Sequence, residues 1–140
     1  MKATEKHFKL SDTEFENQFN HCSFDEKLFT HEAHLRLAWI HIKNYGVEKA
    51  IENVSDQLLN FVNHVGAKDK FNKTLTVAAI KAVNHFVLKS KADNFKDFIT
   101  EFPQLKNRFK ELIKTHYSFD VFNSNEAKEK FLEPDLVPFN

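Results

Sequence analysis

Apolar residues recur at helical spacing along most of the chain, interrupted by short polar stretches. Ser11-Asp-Thr-Glu14 has the form of a capping box, and Phe15, Phe19 and Cys22 follow it on one stripe. A second box, Ser23-Phe-Asp-Glu26, predicts a short segment through Phe29. Thr30 is a good N-cap for a helix from His31 to Tyr45, which Gly46 ends. From Val47 to Val65 the stripe is cleanest, with Ile51, Val54, Leu58 and Phe61 opposed by Glu48, Glu52 and Asp56.

Residues 67–73 read as a polar loop. The next helix is predicted from about Leu75 to Lys89, with Thr76, Ala79, Ile80 and Val83 on one side. Asn94 caps a segment carrying Phe95, Phe98, Ile99 and Phe102, and Pro103 fits the first turn of a helix reaching His116. Asn123-x-x-Glu126 signals a last short helix ending near Leu132, and two prolines keep the tail, 133–140, extended. No stretch reads as a strand. The expectation is all-α: one domain over 1–140, a compact bundle of about five to seven helices joined by short connections.

Composition narrows the function classes. A chain of 140 residues can bury a sizeable core, and sixteen Phe against one Trp, one Met and two Tyr point to a core dominated by Phe. Lys+Arg and Asp+Glu are balanced at 20 each, which removes the basic face a nucleic-acid partner requires. The N-terminus MKATEKHFKL lacks an apolar h-region, and no run approaches membrane-spanning length, so no membrane partner is expected. The lone Cys22 suits a reducing compartment, and the expected location is the cytoplasm. No Gly-rich loop, CxxC pair or Ser-centred elbow is present.

Candidate chemistry concentrates on the helix that Thr30 caps. Thr30-His-Glu-Ala-His34 differs from HExxH, whose histidines lie four apart, so a zincin is rejected. On a helical wheel His31, His34, Leu35, Ala38, His41 and Ile42 share one broad side. Glu32, Arg36 and Lys43 fall on another, read as the solvent side, where Glu32 can pair with Arg36 at i, i+4. His31 and His34 are the candidate ligand-binding or metal-ligating pair. Asn72 and Thr76, at the core-facing entrance of a later helix, and Tyr117, from a third element, are the polar groups that could join them. Each has a structural alternative: hydrogen-bonded core histidines, helix capping by Thr74 or Asn72, and a core tyrosine. His7, His21, His64 and His85 show no such setting, and His116 is ambiguous.

Four pieces, Phe29-Thr-His-Glu-Ala-His-Leu-Arg-Leu-Ala-Trp39, Lys73-Thr-Leu-Thr76, Tyr117-Ser118 and Pro134-Asp-Leu136, resemble a family of small bacterial proteins of uncharacterised activity. In that family a Tyr-His pair usually precedes Thr-x-Thr, where this chain carries Phe71-Asn72. If that histidine ligates a metal in relatives, Asn72 is a weak replacement, because an amide oxygen is a poor ligand for zinc-like ions. The resemblance implies no reaction.

Two readings follow. One is a polar, histidine-lined site inside the bundle that binds a small molecule or a divalent metal. The other is a non-enzymatic interaction module, with His31 and His34 structural and the Leu136-Val137-Pro138-Phe139 tail docking on a partner or a second copy in a homo-oligomer. No nucleophile or carboxylate dyad accompanies the histidines, so whether the protein is an enzyme stays open.

Overall fold

The computed structural model describes residues 5–139. Residues 1–4 and Asn140 of the tail lie outside the described residues. Eight α-helices and no strand are present among the described residues, and five helices have seven residues or more. They are α1 (Asp12–Asn20), α2 (His31–Tyr45), α3 (Val47–His64), α4 (Lys73–Val87), α5 (Phe95–Glu101), α6 (Gln104–Asn107), α7 (Phe109–Lys114) and α8 (Asn125–Glu129). The all-α expectation holds. No helix of the described chain is long and apolar enough to cross a membrane.

Local signals set the starts of the helices. Ser11 and Glu14 form the reciprocal capping box at α1, and Thr30, Asn72 and Asn94 each accept an N–H from the first turn of α2, α4 and α5. Two predicted boxes shift by a residue or two: Asp25 caps the 3₁₀ turn at Glu26–Leu28, and Ser124 caps α8 in place of Asn123. Cys22 does not extend α1. The helix ends at Asn20, and Cys22 takes a left-handed conformation (φ 56°) while Cys22 and Ser23 donate back to Phe19 and Gln18.

The longest helices form the centre. Gly46 alone joins α2 to α3, at φ 87° and ψ 165°, a region that essentially only glycine occupies. That sharp connection lets α2 and α3 fold back on each other, and α4 packs against both. Phe15, Phe19, Phe24 and Phe61 are buried in the main core, with Phe19 and Phe61 stacked at 4.7 Å between centroids.

The predicted helix from Pro103 to His116 is broken. Arg108, at φ −134°, separates α6 from α7. The turn splits the stripe between two cores: Leu105 enters the main one, with Leu112 of α7 packed against it, while Ile113 joins Ala78, Tyr117, Val121 and Ala127 in a second. One straight helix would have aimed that stripe at a single core.

Candidate functional site

Helix α2 carries most of the candidate residues, and it is buried nearly all round. Ten of its fifteen residues are buried, including Glu32 and Arg36, which overturns the reading of Glu32 as a solvent-side residue. The face carrying Glu32 and Arg36 is covered by the N-terminal segment and by Lys106 of α6, while His31, placed on the apolar side by the wheel, is exposed. The two residues do not pair with each other; each fastens a different piece of covering chain. A signal was present in the sequence: Trp39 and Ile40 lie beside Arg36 on the wheel, and a helix apolar on every side is a buried one.

The predicted pair is turned to different neighbours. His31 is exposed, so it does not share His34's enclosure; its Nε2–H donates to the Leu105 carbonyl at 3.0 Å and its ring lies against Phe109. His34 packs on Phe29, and its Nε2 is enclosed with no hydrogen-bond partner. Burial, aided by the neighbouring His31, holds the His34 pKa down at about 4, so the ring is neutral. His41, buried on the same helix, has Nδ1 3.4 Å from the Asn53 amide and an unpartnered Nε2.

Asn72, Thr76 and Tyr117 spend their polar groups on backbone. Asn72 Oδ1 accepts from Leu75 N–H and its Nδ2 donates to the Val121 carbonyl, both at 2.9 Å. Thr76 donates to the Asn72 carbonyl, and the Tyr117 hydroxyl donates to the Leu132 carbonyl at 2.7 Å. Burial, with Glu133 and Asp135 nearby, pushes the Tyr117 phenol up to about 12. Among the described residues no hydrogen bond joins these three to His31 or His34.

A different convergence is present. The short motifs singled out above meet at the two chain ends. Thr74 donates to the Lys130 carbonyl and accepts from Leu132 N–H, while the Ser118 hydroxyl and N–H both donate to Asp135. These bonds strap the tail across α4. At the other end Thr30, Glu32 and Arg36 bind residues 5–12.

That second cluster contains the group best suited to hold a metal. Glu5, His7 and Glu32 offer ligand atoms that all lie within 4.8 Å of one another, with His7 and Glu32 buried. His7, which shows no site-like setting in the sequence, lies in the 3₁₀ turn Lys6–Lys9 and is completely buried. Its Nε2 is 2.6 Å from Glu32 Oε1 and 3.7 Å from Glu5 Oε1. The Lys106 ammonium bridges the two carboxylates, 2.8 Å from Glu32 Oε2 and 3.1 Å from Glu5 Oε2. Thr30 donates its hydroxyl to Glu5.

Arg36 closes the back of the cluster. Its guanidinium donates to the His7 and Leu10 carbonyls and to Asp12, and Nη1 lies 3.3 Å from His7 Nδ1. A guanidinium has only donors, so Nδ1 accepts and Nε2 carries the proton given to Glu32. Burial holds the His7 pKa below its ordinary value, against the pull of Glu32, and Arg36 adds to the depression. Glu5 is raised by burial, but the Thr30 hydroxyl and Lys106 outweigh this and leave it low. Glu32's hydrogen bond raises the Lys106 pKa against its desolvation, with Glu5 helping. The site as it stands is an ion cluster in which one ammonium bridges the two carboxylates and the imidazole binds their other oxygens.

Compared with protein-family models, curated proteins and solved structures, the chain matches none.

Proposed function

We propose that this protein binds a divalent transition-metal ion through Glu5, His7 and Glu32, in exchange for the Lys106 ammonium. One observation carries the reading: two carboxylates and an imidazole, from two separated segments, offer ligand atoms within 4.8 Å of one another, and the two carboxylates already share a cation, the Lys106 ammonium. Carboxylate oxygen and imidazole nitrogen suit zinc- or manganese-like ions. The metal site proposed is thus not His31 and His34 but Glu32, between them on the same helix, with Glu5 and His7 of the N-terminal segment. Two costs set its character. Lys106 must withdraw, and the His7 proton must move from Nε2 to Nδ1, where it faces Arg36. Ligation needs both carboxylates ionised and the imidazole neutral, so binding is lost as pH falls and these groups protonate.

The test is calorimetric titration of tag-free protein with Zn²⁺ and Mn²⁺. Lys106→Met, which removes the competing cation and keeps the stem, is expected to tighten binding about tenfold, and Glu5→Gln to weaken it by a similar factor. Unchanged affinity in both variants would sink the reading.

A second reading, the interaction module with structural histidines, is supported by the His31 bond to Leu105 and by exposed Leu136 and Val137 in the tail. It predicts self-association or capture of a partner that a Leu136→Asp, Val137→Asp variant abolishes; a strict monomer by light scattering speaks against the homo-oligomer.

A further inference from the structure

A second site lies at the opposite end of the chain, where α7 meets the loop 117–123. A cavity of about 500 Å³ opens there, a size typical of small-molecule pockets. Its floor is apolar and buried: Ile113, Tyr117 and Val121. Phe119 and Leu136 line it while remaining partly exposed (40% and 55%), so apolar surface is left that an occupant would cover.

The wall carries two ammonium groups and one carboxylate. Lys110 and Lys114 stand one helical turn apart on α7 and both line the cavity. Among the described residues neither forms an ion pair, and the Lys110 ammonium rests over the Phe122 ring at 5.3 Å. Asp120, also in the wall, is engaged in its own loop: it accepts from the Asn123 amide at 2.7 Å and from Phe122 N–H at 3.0 Å. The Asn123 hydrogen bond, with the Lys110 charge adding, holds the Asp120 carboxyl low, yet among the described residues neither ammonium is ion-paired to a carboxylate, and both stand beside the apolar floor.

We propose that this cavity binds a small organic anion, a carboxylate, sulfonate or phosphate carried on an apolar or aromatic body. The body fills the Ile113–Tyr117–Val121 floor and covers Phe119 and Leu136, and the anionic head lies between Lys110 and Lys114. The site is separate from the Glu5–His7–Glu32 group and takes a ligand of opposite charge.

The probe is 8-anilinonaphthalene-1-sulfonate, an aromatic sulfonate whose fluorescence rises in apolar surroundings, with neutral Nile red as its partner. Saturable one-site binding is expected, displaced by octanoate. Lys110→Met with Lys114→Met keeps both apolar stems, and should weaken the sulfonate about fivefold while leaving Nile red unchanged. Leu136→Glu, at an exposed rim position, should weaken the sulfonate too. Absence of saturable binding, or affinity indifferent to the double substitution, would overturn the proposal. So would parallel loss of Nile red, or capture of the protein on phosphatidylglycerol vesicles without binding of the soluble anion.

Discussion

Arg36 determines which ring nitrogen of His7 carries the proton. Its Nη1 lies 3.3 Å from Nδ1 while donating to the carbonyl of the same residue at 2.7 Å. The imidazole is thereby committed to hand Nε2–H to Glu32, and the N-terminal turn is held on α2 by both ends of one histidine.

Replacing Arg36 should release that turn. Lysine keeps the charge but offers one compact ammonium where the guanidinium serves the His7 and Leu10 carbonyls and Asp12 together. Arg36→Lys is expected to cost about 2–3 kcal/mol in urea unfolding, because buried carbonyls lose their donors. Amide exchange locates the effect: the Phe8 and Leu10 N–H groups, which close the turn onto Glu5 and His7, should lose protection first. Protection unchanged at both would contradict the fastening role.

His34 should make the fold acid-sensitive. Its folded pKa, about 4, lies below the ordinary 6.5, so folding favours the neutral ring. That contribution is complete above pH 6.5 and is lost as pH falls toward 4, at most about 3 kcal/mol. His7 and His41 are shifted the same way by burial and add to the slope. His34→Leu removes an enclosed nitrogen that has no partner. The variant should be as stable as the parent at pH 7.5 and more stable at pH 5, read from urea midpoints across that range. A variant that keeps the parent's full acid slope would refute the assignment.

Cys22 occupies a position that glycine would fill with less strain. It sits after the last turn of α1 at φ 56°, with the reciprocal bonds of Ser23 to Gln18 and Cys22 to Phe19. A side chain in the left-handed region is held there at a cost, so Cys22→Gly should raise stability by about 0.5–1 kcal/mol. Thermal unfolding under reducing conditions measures this. A lower melting temperature would show that the sulfur's packing outweighs the relieved strain.

What could be read from the residues was what depends on near neighbours. The Ser11–Glu14 box, the Thr30 and Asn94 caps and the stripe of α3 are decided within a turn or two, and they recur in the structure. Glu32 is buried because a segment 25 residues earlier lies on it, and no wheel of α2 contains that segment. The break at Arg108 likewise answers to a second core assembled from α4, α7 and the 117–127 region. Asn72 was visible as a polar group at a core-facing position and Tyr117 as one from a third element, but their distant partners are backbone groups, which carry no residue-type signal.

Thr74 offers the most direct test of the strap across α4. Its side chain is fully buried; the hydroxyl donates to the Lys130 carbonyl at 2.7 Å and accepts from Leu132 N–H at 3.0 Å. Thr74→Val preserves shape and leaves both backbone groups without a partner, so the tail should loosen while α2, α3 and α4 stay packed. Tyr117 supplies the readout, since its hydroxyl donates to the Leu132 carbonyl beneath the same strap. Its phenol, held near 12 by burial with Glu133 and Asp135 adding, should titrate closer to 10 once the strap lifts. Tyr45 is the other tyrosine, and a Tyr45→Phe background isolates Tyr117 in the ultraviolet titration. Faster tryptic cleavage after Lys128 and Lys130 should accompany the shift. If Tyr117 in the Thr74→Val protein still titrates near 12, the tail is held by Ser118 and Asp135 without help from Thr74.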